Sequence, residues 1–222
     1  FRRAFTLRPH LLKGMLSISG WTMVQSFISV SIWFIFFLAI EHLGERPLAV
    51  TNIVRNISAL LIMVISAFAT TAGALISNQI GAGEQRCLFK TCGMTLKLTY
   101  AILIPLLIIL CLFPEPVLRA FTDSPSLIAA SVNSVYVMAS STLIMAPSFI
   151  LFNAVSGTGN TRAGFIMEMI SLAVYTAVIY YGIIRLKPDV ALCWFSEHVY
   201  GVTLIFLAWW YLKSGKWRGK KV

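Results

Sequence analysis

Charged side chains are scarce in this chain. Only 12% of its 222 residues are Asp, Glu, Lys or Arg, and Asp and Glu together number 8. Hydrophobic residues make up 58%, and the mean hydropathy is +0.83. A water-soluble globule of this length needs more polar surface than that. The composition therefore excludes a soluble protein and predicts an exterior that contacts lipid.

The few charges are unbalanced, with a formal net charge of +10. A basic excess can indicate nucleic acid binding. Here, however, the basic residues lie in short turns and in the C-terminal tail, and no basic helix or RNA-binding motif is present. We therefore expect no nucleic acid partner. The acidic headgroups of the lipid bilayer are the expected partner of these basic residues.

Cysteine is also sparse, at 4 residues. The chain has neither a CxxC pair nor a Cys/His spacing suited to zinc. We expect free structural thiols, no metal site and no resident cofactor, although a transported Na⁺ or H⁺ is possible.

Six apolar stretches fill the chain between Ile18 and Leu212. A bilayer core about 30 Å thick needs about 20 helical residues. We therefore predict an all-α polytopic membrane protein with a six-helix unit over residues 18–212. Residues 1–17 form a cytoplasmic segment with an interfacial helix over 9–17, and residues 213–222 form a basic cytoplasmic tail. The predicted spans are residues 18–40, 50–78, 93–113, 127–152, 164–186 and 191–212.

The Lys and Arg residues are distributed unequally between the two sides of these spans, which predicts that both termini are cytoplasmic. Thirteen of the 18 Lys and Arg residues lie on the predicted cytoplasmic side: Arg2, Arg3, Arg8, Lys13, Arg86, Lys90, Lys97, Arg162, Lys213, Lys216, Arg218, Lys220 and Lys221.

The chain starts at Phe1 without an initiator Met or a signal peptide, so we expect that it begins inside a longer protein.

Two predicted cytoplasmic turns share the pattern GxGxxR, at residues 81–86 and 157–162. We expect glycine to end each preceding helix in the left-handed region and arginine to contact headgroups. A phosphate-binding loop is the alternative, but neither turn completes a Walker sequence or follows a strand.

Two glutamates, Glu168 and Glu197, lie well inside apolar spans. A carboxylate at bilayer depth costs roughly 3 kcal/mol, so each needs a cavity, a proton or a partner. The possible partners are Arg162 for Glu168, and Lys187 or His198 for Glu197. Because the two helices run antiparallel, we expect the carboxylates at different depths, where they need not form a pair. In a water-filled cavity either could exchange a proton.

Polar and aromatic residues recur at helical spacing in the first two spans. Helix packing accounts for the Ser, Thr, Ala and Gly residues of this pattern, but less readily for the amide side chains Gln25, Asn52 and Asn56. Arg55 could equally snorkel to the interface. Most tyrosines, including Tyr200, lie toward span ends and are expected to be interfacial anchors, whereas Tyr175 lies mid-span on the face of Glu168. The candidate cavity-lining residues are Gln25, Trp33, Asn52, Arg55, Asn56 and Tyr175.

Three regions resemble multidrug and toxin extrusion (MATE) antiporters. Residues 48–56 (LAVTNIVRN) and 76–84 (ISNQIGAGE) are similar to their seventh-to-eighth helix region. Residues 152–162 (FNAVSGTGNTR) resemble the turn after the tenth helix, and residues 193–200 (CWFSEHVY) resemble the twelfth helix of bacterial members.

The resemblance implies the C-terminal six-helix lobe of a twelve-helix exporter in a bacterial inner membrane, with the N-terminal lobe as its missing partner. Such proteins use alternating access to exchange an organic cation or another drug for Na⁺ or H⁺, and they are not enzymes. Many relatives carry acids in the helices that match the first and fourth spans. Here Ser29 stands near the first of these positions and the fourth span has no carboxylate. Glu168 and Glu197 are therefore the ion-coupling candidates.

Two other functions are possible. A lipid-linked oligosaccharide flippase of the same superfamily would need a more cationic cavity than Arg55 alone provides. A membrane scaffold or an integral-membrane enzyme is the third possibility. The enzyme is disfavoured because His10, His42 and His198 lie near the ends of different segments.

Overall fold

Helices account for nearly all of the computed structural model, which describes residues 9–215 and 217–218. A 3₁₀ turn at Gln85–Cys87 precedes α3, and a π-helical segment, Ile179–Arg185, continues α6. The α-helices are α1 (Pro9–Glu41), α2 (Glu45–Gly81), α3 (Leu88–Leu112), α4 (Pro114–Arg119), α5 (Pro125–Gly157), α6 (Thr161–Val178), α7 (Val190–Cys193) and α8 (Phe195–Ser214).

Six helical segments of the described chain are long and apolar enough to cross a membrane, which confirms the predicted all-α architecture. Helix α1 runs from Pro9 into the first span without a break, so residues 9–17 continue the first transmembrane helix. The six segments are Met23–Glu41, Glu45–Gly81, Gln85–Leu112, Pro125–Gly157, Thr161–Arg185 and Val190–Ser214.

The two GxGxxR turns share a backbone conformation. Gly83 has φ 82° and Gly159 has φ 78°, so the second glycine of each turn occupies the left-handed region that side chains disfavour. The glycine prediction is therefore confirmed. In the second turn the Asn160 side chain also accepts a hydrogen bond from the backbone N–H of Ala163 at 3.2 Å, which caps α6.

Helix α5 lies at the centre of the bundle and packs against α2, α3 and α8. It crosses α2 with almost no space between the backbones. A Cβ added to Gly157 would lie 2.5 Å from the carbonyl oxygen of Gly73, and one added to Gly73 would lie 2.9 Å from that of Asn153. Small residues permit such close approach between membrane helices.

We expect Gly157→Ala to lower the thermal unfolding midpoint of the detergent-purified protein. The added methyl group meets a backbone atom that cannot rotate away, and overpacking of this kind costs about 1–3 kcal/mol. Gly93→Ala in α3 is the control, because no heavy atom lies within 4 Å of its added Cβ. Equal midpoints for the two variants would contradict the close crossing.

Candidate functional site

A cavity of about 390 Å³ lies between α1, α2, α5, α6 and α8. Its wall is apolar and aromatic apart from a serine, two glutamates and the hydroxyl groups of two tyrosines. The lining residues are Ser29, Val30, Trp33, Ile62, Met145, Phe149, Glu168, Leu172, Tyr175, Glu197 and Tyr200.

Glu168 lies about two turns into α6 and is buried, with 4% of its surface exposed. The hydroxyl of Tyr200 in α8 donates to its Oε1 at 2.9 Å. The Ser29 hydroxyl in α1 lies 2.8 Å from the same oxygen and 3.0 Å from the main-chain oxygen of Gln25, so the two acceptors share its proton. Hydroxyl donors of this kind offset part of the cost of burying a carboxylate.

Glu197 lies in the first turn of α8, and its Oε1 accepts a hydrogen bond of 2.8 Å from the Tyr175 hydroxyl in α6. The rings of Tyr175 and Tyr200 are in contact, with their centroids 5.8 Å apart. Helices α6 and α8 therefore each contribute one glutamate and one tyrosine, and each tyrosine serves the glutamate of the other helix. We call these four residues the Glu–Tyr ladder.

The ladder follows from sequence spacing. Glu168 and Tyr175 are seven residues apart, and Glu197 and Tyr200 are three apart, so each pair lies on one helical face. Because α6 and α8 run antiparallel, Glu168 is level with Tyr200 and Glu197 is level with Tyr175. At 1.5 Å per residue the carboxylates differ in depth by roughly 5–10 Å. They nevertheless share one cavity, which the sequence analysis did not predict.

Among the described residues, no Lys, Arg or His forms an ion pair with Glu168 or Glu197. The predicted alternatives, Arg162 for Glu168 and Lys187 or His198 for Glu197, were wrong, because hydroxyl groups occupy these places. Successive residues of a helix point about 100° apart, so His198 turns away when Glu197 faces the cavity.

His198 faces α5 instead. Its Nε2 lies 2.9 Å from the hydroxyl of Ser140, and its ring stacks on Phe195 with the centroids 4.9 Å apart. The residue therefore contributes to packing between α8 and α5 and lies outside the cavity lining.

The sequence-predicted cavity residues divide into two groups. Trp33 and Tyr175 line the cavity, whereas Gln25, Asn52, Arg55 and Asn56 do not. The Gln25 main chain lies one turn before Ser29. The Asn52 side chain donates to the Leu48 carbonyl oxygen of its own helix at 3.1 Å, and Asn56 is exposed on α2.

Arg55 reaches from α2 to the aromatic side chains of α1. Its guanidinium carbon lies 5.7 Å from the Trp33 ring centroid and 5.3 Å from that of Phe37. Trp33, 37% exposed, thus contacts the arginine and also forms part of the cavity wall.

Sequence reasoning missed Tyr200, which was expected to anchor at the interface, and assigned no cavity role to Ser29. A signal for Tyr200 was present, because it follows Glu197 by three residues on the same face. Ser29 could not be found this way, because its contact with Glu168 spans 139 residues of sequence. No group of three His, Cys, Asp or Glu side chains in the described part of the chain could hold a metal ion.

The fold and the site together define a polytopic membrane protein with an acidic, aromatic cavity among its helices. The chain belongs to the MatE family of membrane transporters, whose family model matches residues 22–181. The predicted family and the predicted all-helical lobe are thereby confirmed. No curated protein matches the chain by sequence.

Solved transporter structures share this fold. The chain is similar to the Vibrio cholerae MATE transporter VcmN in its bent form, with 16% identity and a TM-score of 0.83, covering 94% of this chain and 48% of that one. It is also similar to an outward-facing multidrug resistance MATE family transporter of the MOP superfamily, with 14% identity and a TM-score of 0.80. That match covers 92% of this chain and 46% of the other. A MOP superfamily transporter from Pyrococcus furiosus is similar with 14% identity and a TM-score of 0.78, and the match covers 90% of this chain and 44% of that one. These identities establish the fold alone, and the chain spans about half the length of the solved chains.

We expect Tyr200→Phe to destabilise the protein by about 1.5–3 kcal/mol, because it removes a hydrogen bond to a charged group. In a Glu168→Gln background the same replacement should cost less, since the acceptor is no longer ionised. Thermal unfolding of the wild-type protein, the two single variants and the double variant in detergent gives the coupling energy. Tyr181→Phe, at a site that is 66% exposed, is the control. An equal cost in both backgrounds would contradict a charge-assisted hydrogen bond between Tyr200 and Glu168.

Proposed function

We propose that this chain is one lobe of a cation-coupled antiporter that exports drugs or other organic compounds, and that its main substrates carry an organic cationic group, alone or together with an anionic one. A second six-helix lobe completes the transporter, and the two lobes alternate access to a cleft between them. The observation that carries this proposal is the placement of Glu168 and Glu197 in one aromatic cavity.

The chemistry of the cavity supports organic cations as substrates. Its volume of about 390 Å³ falls within the roughly 300–1,000 Å³ that is usual for small-molecule sites. The rings of Trp33, Phe149 and the two ladder tyrosines offer faces that attract a cation. When ionised, the carboxylates supply the opposite charge, and the mainly apolar wall strengthens that attraction relative to bulk water.

The same carboxylates can carry the coupling ion. All hydrogen bonds recorded for Glu168 and Glu197 in the described structure end on Oε1. In each carboxylate, Oε2 is thus left for a proton or for Na⁺. An ion that neutralises a carboxylate weakens its attraction for a cationic substrate. Opposed binding of this kind links the inward movement of the ion to the outward movement of the substrate.

The alternative functions fit the cavity less well. A flippase for lipid-linked oligosaccharides would need several basic groups facing its diphosphate. The cavity lining contains neither Lys nor Arg, and Arg55, which contacts the lining residue Trp33, supplies a single positive charge. A membrane scaffold has no use for two glutamates that line one cavity.

We expect Glu168→Gln to abolish coupled export while leaving membrane abundance unchanged. The substitution keeps the size of the side chain but removes its charge and its exchangeable proton. Efflux of ethidium from cells that express the complete transporter is the measurement, with the sodium and proton gradients collapsed separately. Glu115→Gln, in α4 and outside the cavity lining, is the matched control. Wild-type efflux by Glu168→Gln would refute the coupling role.

We further propose a bacterial inner membrane location with both chain termini in the cytoplasm. The support is the excess of Lys and Arg on that side of the spans. We expect a fluorescent protein fused after Val222 to fluoresce and alkaline phosphatase at the same site to be inactive. Fusions in the turn at residues 120–124 should behave in the opposite way. Active phosphatase after Val222 would reverse the proposed orientation.

A further inference from the structure

Arg55 is a charged residue inside a span and forms no ion pair with any described residue. It is the eleventh residue of α2, which places it about 15 Å along the helix. Its Nε is shielded from solvent and has no hydrogen-bond partner. The structure records ring contacts for its guanidinium and no ion pair with any described residue.

The ring contacts of Arg55 meet only part of what the guanidinium requires. A cation over an aromatic face gains electrostatic attraction, but the ring accepts few of the five N–H donors. A shielded donor without an acceptor is costly at bilayer depth. The site is therefore favourable for an acceptor that carries negative charge.

Trp33 connects this site to the acidic cavity. Its ring contacts the Arg55 guanidinium and also forms part of the wall that holds Glu168 and Glu197. The surroundings of one aromatic ring are thus positive on the α2 side and negative on the α6 and α8 side. A ligand that spans Trp33 meets both signs of charge.

We propose that Arg55 is a specificity-determining residue that receives the anionic group of zwitterionic substrates and disfavours substrates that carry positive charge alone. The inference rests on the proposed function, because it places the substrate in the cavity of the Glu–Tyr ladder. The ammonium group of a zwitterion lies toward the glutamates, its ring system lies against Trp33, and its carboxylate lies against Arg55. A purely cationic substrate gains the first two contacts and is repelled at the third position.

The size of the effect follows from Coulomb's law. A cation stacked on the cavity side of Trp33 lies roughly 10 Å from the guanidinium. At effective dielectric constants of about 20–40, removal of that repulsion changes affinity about four- to fifteen-fold. A zwitterion should lose affinity, because the attraction between Arg55 and its nearby carboxylate outweighs the repulsion of its more distant ammonium group.

The test compares ethidium, a permanent cation, with norfloxacin, a zwitterion near neutral pH. Binding of both to the purified complete transporter is measured by equilibrium dialysis. We expect Arg55→Gln to bind ethidium about four- to fifteen-fold more tightly and norfloxacin more weakly. Arg55→Lys keeps the charge and should hold the ratio of the two affinities near the wild-type value. Arg119→Gln, at the end of α4 and outside the cavity lining, is the control.

An unchanged affinity ratio in Arg55→Gln would overturn the inference, as would an equal shift for both ligands. The ratio does not depend on the fraction of protein that is folded, so partial misfolding cannot imitate the result. If the wild-type protein binds both ligands and exports neither, the proposed function fails while the ratio still decides the role of Arg55. If it binds neither ligand, both proposals fail.

Discussion

The cost of placing a carboxylate among apolar helices dominates this structure. Glu168 and Glu197 are tolerated because three hydroxyl groups, from α1, α6 and α8, donate hydrogen bonds to them. Each donor comes from a different helix than its acceptor. The groups that stabilise the charges therefore also hold three spans in fixed positions around the cavity.

Hydroxyl partners have a different consequence from basic partners. An arginine or lysine beside each glutamate would lock the carboxylate into a permanent ion pair and neutralise the cavity. Serine and tyrosine donate hydrogen bonds to Oε1 of each carboxylate and add no compensating positive charge. Ionised glutamates would therefore give the cavity a negative potential that favours a cation.

Hydropathy was enough to predict the six spans, because each span is a local property of about 20 residues. The family was predicted from the resemblance of three sequence regions to known members. Burial cost and helical spacing also singled out Glu168, Glu197 and Tyr175, all of which line the cavity. Their partners did not follow. Ser29 reaches Glu168 across 139 residues, and such a contact depends on how α1 packs against α6. The proposed His198 pairing failed because sequence neighbours on a helix face different directions.

The crossing of α2 and α5 has a consequence for sequence variation. Gly73 and Gly157 meet through backbone atoms, so a side chain at one position has no side chain opposite it that could shrink in compensation. The two positions cannot exchange volume as ordinary core neighbours do. Related chains that retain this crossing should therefore keep glycine at both positions together, and chains that lose one should show the helices moved apart along their whole contact.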